Sequence, residues 1–153
     1  MDLRAIADGI AAQFTGATTS AGETFSSAPT ASLPNNIATG PVCLVYPPTG
    51  VLDLDIGRMR NDEYEFPVRI LLDPTDVPSR SDALYRWFTA TRDLVEENVD
   101  LGLSYVSWAR VTASRIEIDG ERYSSVDGTY APFDVVEYTV RVHVRDIVTT
   151  LGI

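Results

Sequence analysis

Tyr64-Glu65-Phe66-Pro67-Val68-Arg69-Ile70-Leu71-Leu72 is the stretch whose reading decides the fold. Its even positions, Tyr64, Phe66, Val68, Ile70 and Leu72, are apolar, while Glu65, Pro67 and Arg69 fall between them. That is the period-2 pattern of a strand with one buried face, and such a face must be covered. The cover follows at once. From Ser79 to Val99, Leu84, Trp87, Phe88, Thr91, Leu94, Val95 and Asn98 recur at helical spacing, and Arg86, Asp93, Glu96 and Glu97 point elsewhere. Asp73-Pro74-Thr75-Asp76-Val77-Pro78 turns the chain between strand and helix. Pro67 removes a ladder donor, so this strand is expected at an edge or a bulge.

Working back toward the N-terminus, Val42-Cys43-Leu44-Val45-Tyr46 is a short apolar run before the turn Pro47-Pro48-Thr49-Gly50, the pattern of a buried strand. A second strand is expected over Val51-Leu52-Asp53-Leu54-Asp55-Ile56, with Asp53 and Asp55 on its solvated side and too few neighbouring oxygens for a metal loop. Gly57 to Glu63 then reads as a charged hairpin tip. Leu3, Ile6, Ala7, Ile10 and Phe14 define an amphipathic first helix that Gly16 ends, and this start lacks the basic region of a signal peptide. Between them, Ala17 to Gly40 is rich in small and polar residues, with Phe25, Leu33 and Ile37 as its only bulky anchors, and is expected to be a long surface arm that meets a partner.

Working forward, Asp100-Leu101-Gly102 breaks the helical pattern and an extended segment begins at Tyr105. Its apolar positions change parity near Ser114, which implies a bulge. Asp119-Gly120 and Asp127-Gly128 are turn dipeptides, and between and beside them lie Tyr123 and Tyr130, residues of the interface type, in an otherwise polar insert, Glu121 to Pro132, that reads as a hairpin flap. The last strand is the clearest: Val136, Tyr138, Val140, Val142 and Val144 alternate with Glu137, Thr139, Arg141, His143 and Arg145, as a central strand would. The fold class is α+β: a mostly antiparallel, twisted sheet of about five to six strands, covered by the N-terminal helix and one longer amphipathic helix. The 153 residues form one domain, with an arm at 17–40 and an insert at 119–132.

The chemistry that these residues exclude is as informative. One cysteine, Cys43, lies inside an apolar run and one histidine, His143, stands between arginines, so no nucleophilic triad and no Cys/His metal site assembles from sequence. No glycine-rich phosphate loop is present. No catalytic residue, metal ligand or cofactor is therefore assigned, and the chain reads as something other than an enzyme. A net charge of −10 disfavours a nucleic-acid binder, because phosphates would be repelled and few cations are available for counterion release. No apolar run approaches the roughly 20 residues that span a bilayer. All 12 basic residues are arginine, the bias of a GC-rich coding genome.

In the order of its elements, in the local character of PVCLVYPP and DEYEFPVRILLD and in its lysine-free composition, the chain resembles the tail terminator (tail-tube capping) proteins of long-tailed bacteriophages. The resemblance implies a structural protein of the virion, present in host cytoplasm during assembly. It would form a homo-hexameric ring on the last tail-tube ring, stop tube growth and meet the head-tail connector. Double-stranded DNA would pass through without specific binding; six copies at −10 each give about −60. Arg58, Met59, Arg60, Asp62 and Glu63 in the charged tip, Phe25 and Leu33 in the arm, and Tyr123 and Tyr130 in the insert are the expected contacts with neighbouring copies or the tube. Two alternatives remain at this point. One is a head-tail connector or stopper protein; the other is a small acidic enzyme or ligand-binding domain with a pocket under the Glu121 to Pro132 insert.

Overall fold

The computed structural model describes residues 1–52, 59–74 and 77–147. The architecture is α+β. Helix α1 (Leu3–Phe14) leads into strands β1 (Val42–Val45), β2 (Thr49–Leu52) and β3 (Met59–Leu72), then helix α2 (Val77–Thr91) and a 3-10 turn (Val95–Glu97), and finally the long strands β4 (Val106–Ser124) and β5 (Tyr130–Ile147). The sheet has five antiparallel strands in the order β1-β3-β5-β4, with β2 also pairing β3 beyond the end of β1.

Both helices cover the same face of the sheet. The even residues of β3 from Phe66 to Leu72 and of β5 from Val136 to Val144 meet Ile6, Ile10 and Phe14 of α1 and Leu84 and Trp87 of α2 in one core. The organising strand and its cover are thus as the alternation requires. Helix α1 begins where Asp2 accepts the amides of Arg4 at 2.9 Å and Ala5 at 3.3 Å, and it ends before Gly16, whose φ of +82° suits glycine. The other face carries a smaller cluster of Ile37, Val42, Leu44, Leu71, Phe133 and Val135 at one end and charged side chains along the rest.

Several expectations need correction. Pro67 lies in an internal strand, between β5 and the β1/β2 pair. Its carbonyl accepts the Tyr46 amide at 2.8 Å, so its missing donor costs only the reciprocal bond to Tyr46, at the end of the β1 ladder where the chain leaves through Pro47 and Pro48. The second strand begins at Thr49 and not at Val51, so Pro47-Pro48 alone makes the turn; Asp53 and Asp55 lie outside the described residues. The charged tip is also shorter than its composition suggests. Met59 to Glu63 already belong to β3, paired with Ile147 to His143 of β5.

Helix α2 stops at Thr91, short of Val99. The Thr91 hydroxyl turns back to the Trp87 carbonyl at 2.6 Å and meets the Tyr138 hydroxyl at 2.8 Å, and the chain tightens into i to i+3 bonds from Leu94 onward. The 121–132 insert is the hairpin flap that its composition suggests, but it is continuous with the two long strands and not a separate loop. Glu121 to Ser124 pair with Phe133 to Tyr130, so β4 and β5 run on as a hairpin whose turn is confined to 125–129. Asp119-Gly120 makes a bulge instead of a chain reversal, with Asp119 at φ +54° and a register shift between Glu117 and Glu121. The change of face near Ser114 is a second bulge, between Val111 and Ala113.

The 17–40 segment has no regular secondary structure, yet it is bound to the fold along its length. Phe25 stacks on Trp87 with ring centroids 4.7 Å apart, and Glu23 accepts from Arg86 at 2.7 Å. Thr30 bridges β1 in parallel, giving its amide to Cys43 and accepting that of Val45. Ile37 gives its amide to Ser124 at 2.8 Å after the segment has crossed the uncovered face. It is a strap and not a free arm, because its few apolar residues are spaced to reach successive hollows of the core.

Candidate functional site

The nine expected contact residues fall into four groups. Arg58 lies outside the described residues, and Met59 and Arg60 are known here by backbone pairing alone. Asp62 is interior and Phe25 is half-buried. Asp62 is 1% exposed, accepts the Tyr64 hydroxyl at 3.2 Å through Oδ2 and has no hydrogen-bond partner on Oδ1; Phe25 is committed to Trp87. Asp62 is therefore no surface contact, because it continues the inward parity of Tyr64 and Phe66; Phe25 packs one ring face on the core over α2 and keeps a partly exposed edge. Glu63 is half-buried on the uncovered face, 3.9 Å from Arg141.

Leu33, Tyr123 and Tyr130 do come together. They line a depression of about 410 Å³ with Pro34, Tyr46, Glu121 and Arg122, where the strap crosses the β4–β5 hairpin. The Tyr123 hydroxyl donates to the Pro34 carbonyl, fixing the strap to the hairpin. Tyr46 forms the floor, with the Arg69 guanidinium 4.2 Å from its ring centroid. Burial pushes the hydroxyls of Tyr46 and Tyr123 up from the ordinary tyrosine range. At the outer rim Tyr130 is 67% exposed, and Val126 in the turn is as exposed at 67%. The depression occupies the place under the 121–132 segment where sequence suggested a pocket.

Beyond it the uncovered face is paved with ion pairs. Glu137 is held by Arg69 and by Arg115 at 3.5 Å, Arg69 reaches Glu121 at 3.0 Å, and Arg141 binds Glu65 at 2.6 Å. Trp108 stacks on His143 at 5.6 Å and lies under Arg110 at 5.1 Å. Cys43 points into the core, where burial pushes its thiol up, which opposes nucleophilic use. Among the described residues no group of three or more His, Cys, Asp or Glu side chains is placed to hold a metal ion, and no helix is long and apolar enough to cross a membrane.

Sequence reasoning missed the Arg80 clamp. Arg80 of α2 grips buried Asp134 at 2.7 and 2.9 Å and reaches Asp119 at 2.5 Å, while Asp134 also accepts the Asp119 amide at 2.9 Å. The clamp ties α2 to the β4 bulge. Burial pushes the Asp134 carboxyl up, but Arg80 and the Asp119 amide outweigh it and hold it below the usual range. Glu137 is likewise low because Arg69 and Arg115 outweigh burial; Glu23 is low through Arg86, and Asp127 is lowered to about 2 by Ser125 and Thr129.

These four carboxylates bind protons more readily in the unfolded chain, so unfolding takes up protons as pH falls. Their contribution is complete above the ordinary Glu value of 4.5 and is lost progressively below it, as pH passes through the folded values. Thermal melts between pH 7 and 3 are therefore expected to show stability falling on the acid side. Asp134→Asn should lower the neutral-pH melting temperature and flatten that acid limb; an unchanged limb would remove Asp134 from the explanation.

Together these features define an α+β protein with one helix-covered sheet face, one charged face and a hairpin that ends in exposed apolar groups. No protein-family model matches the chain, and no curated protein matches it.

Proposed function

We propose that this chain is a structural protein of a long-tailed bacteriophage, a tail terminator that assembles as a ring on the end of the tail tube, stops its growth and meets the head connector. The observation that carries the reading is the projecting end of the β4–β5 hairpin. Tyr130 and Val126 stand exposed there beside the depression that Leu33 and Tyr123 line, so large apolar groups are presented where no core needs them. The element order and composition that resemble the terminators support it further. The contacts to a neighbouring copy or to tube protein then centre on the hairpin end and the Leu33 stretch of the strap. Met59 and Arg60, at the opposite end of β3, remain proposed contacts, as does Arg58, which lies outside the described residues.

DNA passes such a ring without being held, since most described arginines are already neutralised within the subunit by carboxylates. The test is sedimentation of purified protein with tail tubes and, separately, with portal-filled heads. A terminator is expected to pellet with tubes and to block further polymerisation of tube protein. Pelleting with heads alone would favour the connector reading. A thermal shift with a small molecule that fills the depression, without binding to either particle, would favour a ligand-binding domain.

A further inference from the structure

The geometry points to the outer edge of β4 as a docking strand for the same strand of a second copy, in one antiparallel register centred on Ile116. This pairing stands apart from the tail reading. A two-fold contact closes on a pair and builds no ring.

The direction of the backbone groups follows from the ladder. Pro67 accepts from Tyr46 and so faces β1 and β2, and its partner across the sheet, Thr139, therefore faces β4. Glu137 and Val135 face β4 as well, opposite Arg115 and Glu117. The amides and carbonyls of Ser114, Ile116 and Ile118 then point away from the sheet. Among the described residues no strand pairs with β4 on that side. The regular ladder runs from Ala113 to Glu117 between the two bulges, and Ile118 is the first residue of the second.

The side chains select the partner. Ile116 and Ile118 are 36% and 41% exposed, large apolar groups on an unpaired edge with neither proline nor lysine to deter pairing. The outward residues are all even-numbered, so only even registers satisfy their backbone groups on both chains. When Ile116 faces Ile116, Ser114 exchanges backbone bonds with Ile118, and Arg115 of each copy stands opposite Glu117 of the other. A slip of two residues one way sets Arg115 against Arg115; a slip the other way sets Glu117 against Glu117. Within one chain Arg115 already pairs with Glu117 and Glu137, and of these registers only the one centred on Ile116 adds opposite charges across the contact instead of like ones.

The pairing is short, so sedimentation velocity of the full chain is expected to show a monomer–dimer equilibrium at concentrations on the order of 0.1 mM. Ile116→Cys should form a disulfide-linked dimer about tenfold or more faster than Glu97→Cys, since directly paired Cα atoms lie about 5.5 Å apart; buried Cys43 does not compete. Arg115→Glu alone and Glu117→Arg alone should each be monomeric, and an equimolar mixture of the two should recover the dimer, with circular dichroism reporting the fold of each. A wild-type chain that stays monomeric overturns the proposal. So does cross-linking of Ile116→Cys no faster than the control, or a mixture that fails to associate while wild type dimerises.

Discussion

Replacing Trp87 with alanine is expected to lower stability by about 3–5 kcal/mol, the range for deleting a fully buried large aromatic. For a chain of this size each kcal/mol moves the melting temperature by roughly 2–4 °C, so a fall of roughly 6–20 °C should be seen. Trp87 is 1% exposed and is held from two sides: the sheet core lies beneath it and Phe25 of the strap stacks above it. The loss should therefore reach beyond the local cavity. With Phe25 deprived of its platform, limited proteolysis is expected to cut within 17–40 several-fold faster than in wild type. A melt shifted by only a degree or two, with an unchanged cleavage pattern, would contradict the strap description.

The second large effect concerns assembly. Tyr130→Asp combined with Val126→Asp places two charges on the exposed hairpin end and removes two apolar groups that contribute nothing to the core. Stability is expected to change by no more than about 0.5 kcal/mol, as for ordinary surface positions. Capping of tail tubes should fall at least tenfold in an end-binding assay, because a charge trapped in an apolar contact is costly to desolvate. Wild-type capping by this variant would take the hairpin end out of the interface.

The core of the fold is legible in the sequence because alternation and helical spacing are strong where one face is apolar. Phe66 to Leu72, Val136 to Val144 and the Leu84, Trp87, Thr91 stripe lie where their periodicity sets them, and Val95 is buried as well, although from the 3-10 turn beyond the helix. What stayed illegible is polar. Asp62 and Glu63 are strand residues whose charge reads as a turn, and only the pairing with β5 shows that the alternation continues through them. Asp119-Gly120 has the composition of a hairpin turn and the geometry of a bulge, which local sequence does not distinguish. The strap looked free because its anchors, Phe25 and Ile37, are single residues whose partners are distant in sequence. Of the candidate site, the sequence marks Tyr123 and Tyr130 as residues of the interface type, and the structure sets both on one depression. Their shared depression arises from Pro34 and Tyr46, which carry no pattern of their own.

The proposal of a tail-capping role is tested most directly by electron microscopy of tail tubes polymerised with the purified protein present. Tubes are expected to stop growing and to carry one extra six-fold ring at a single end, and the Tyr130→Asp, Val126→Asp variant should leave the ends bare. Tubes that elongate unchanged, with no added density at either end, would contradict it.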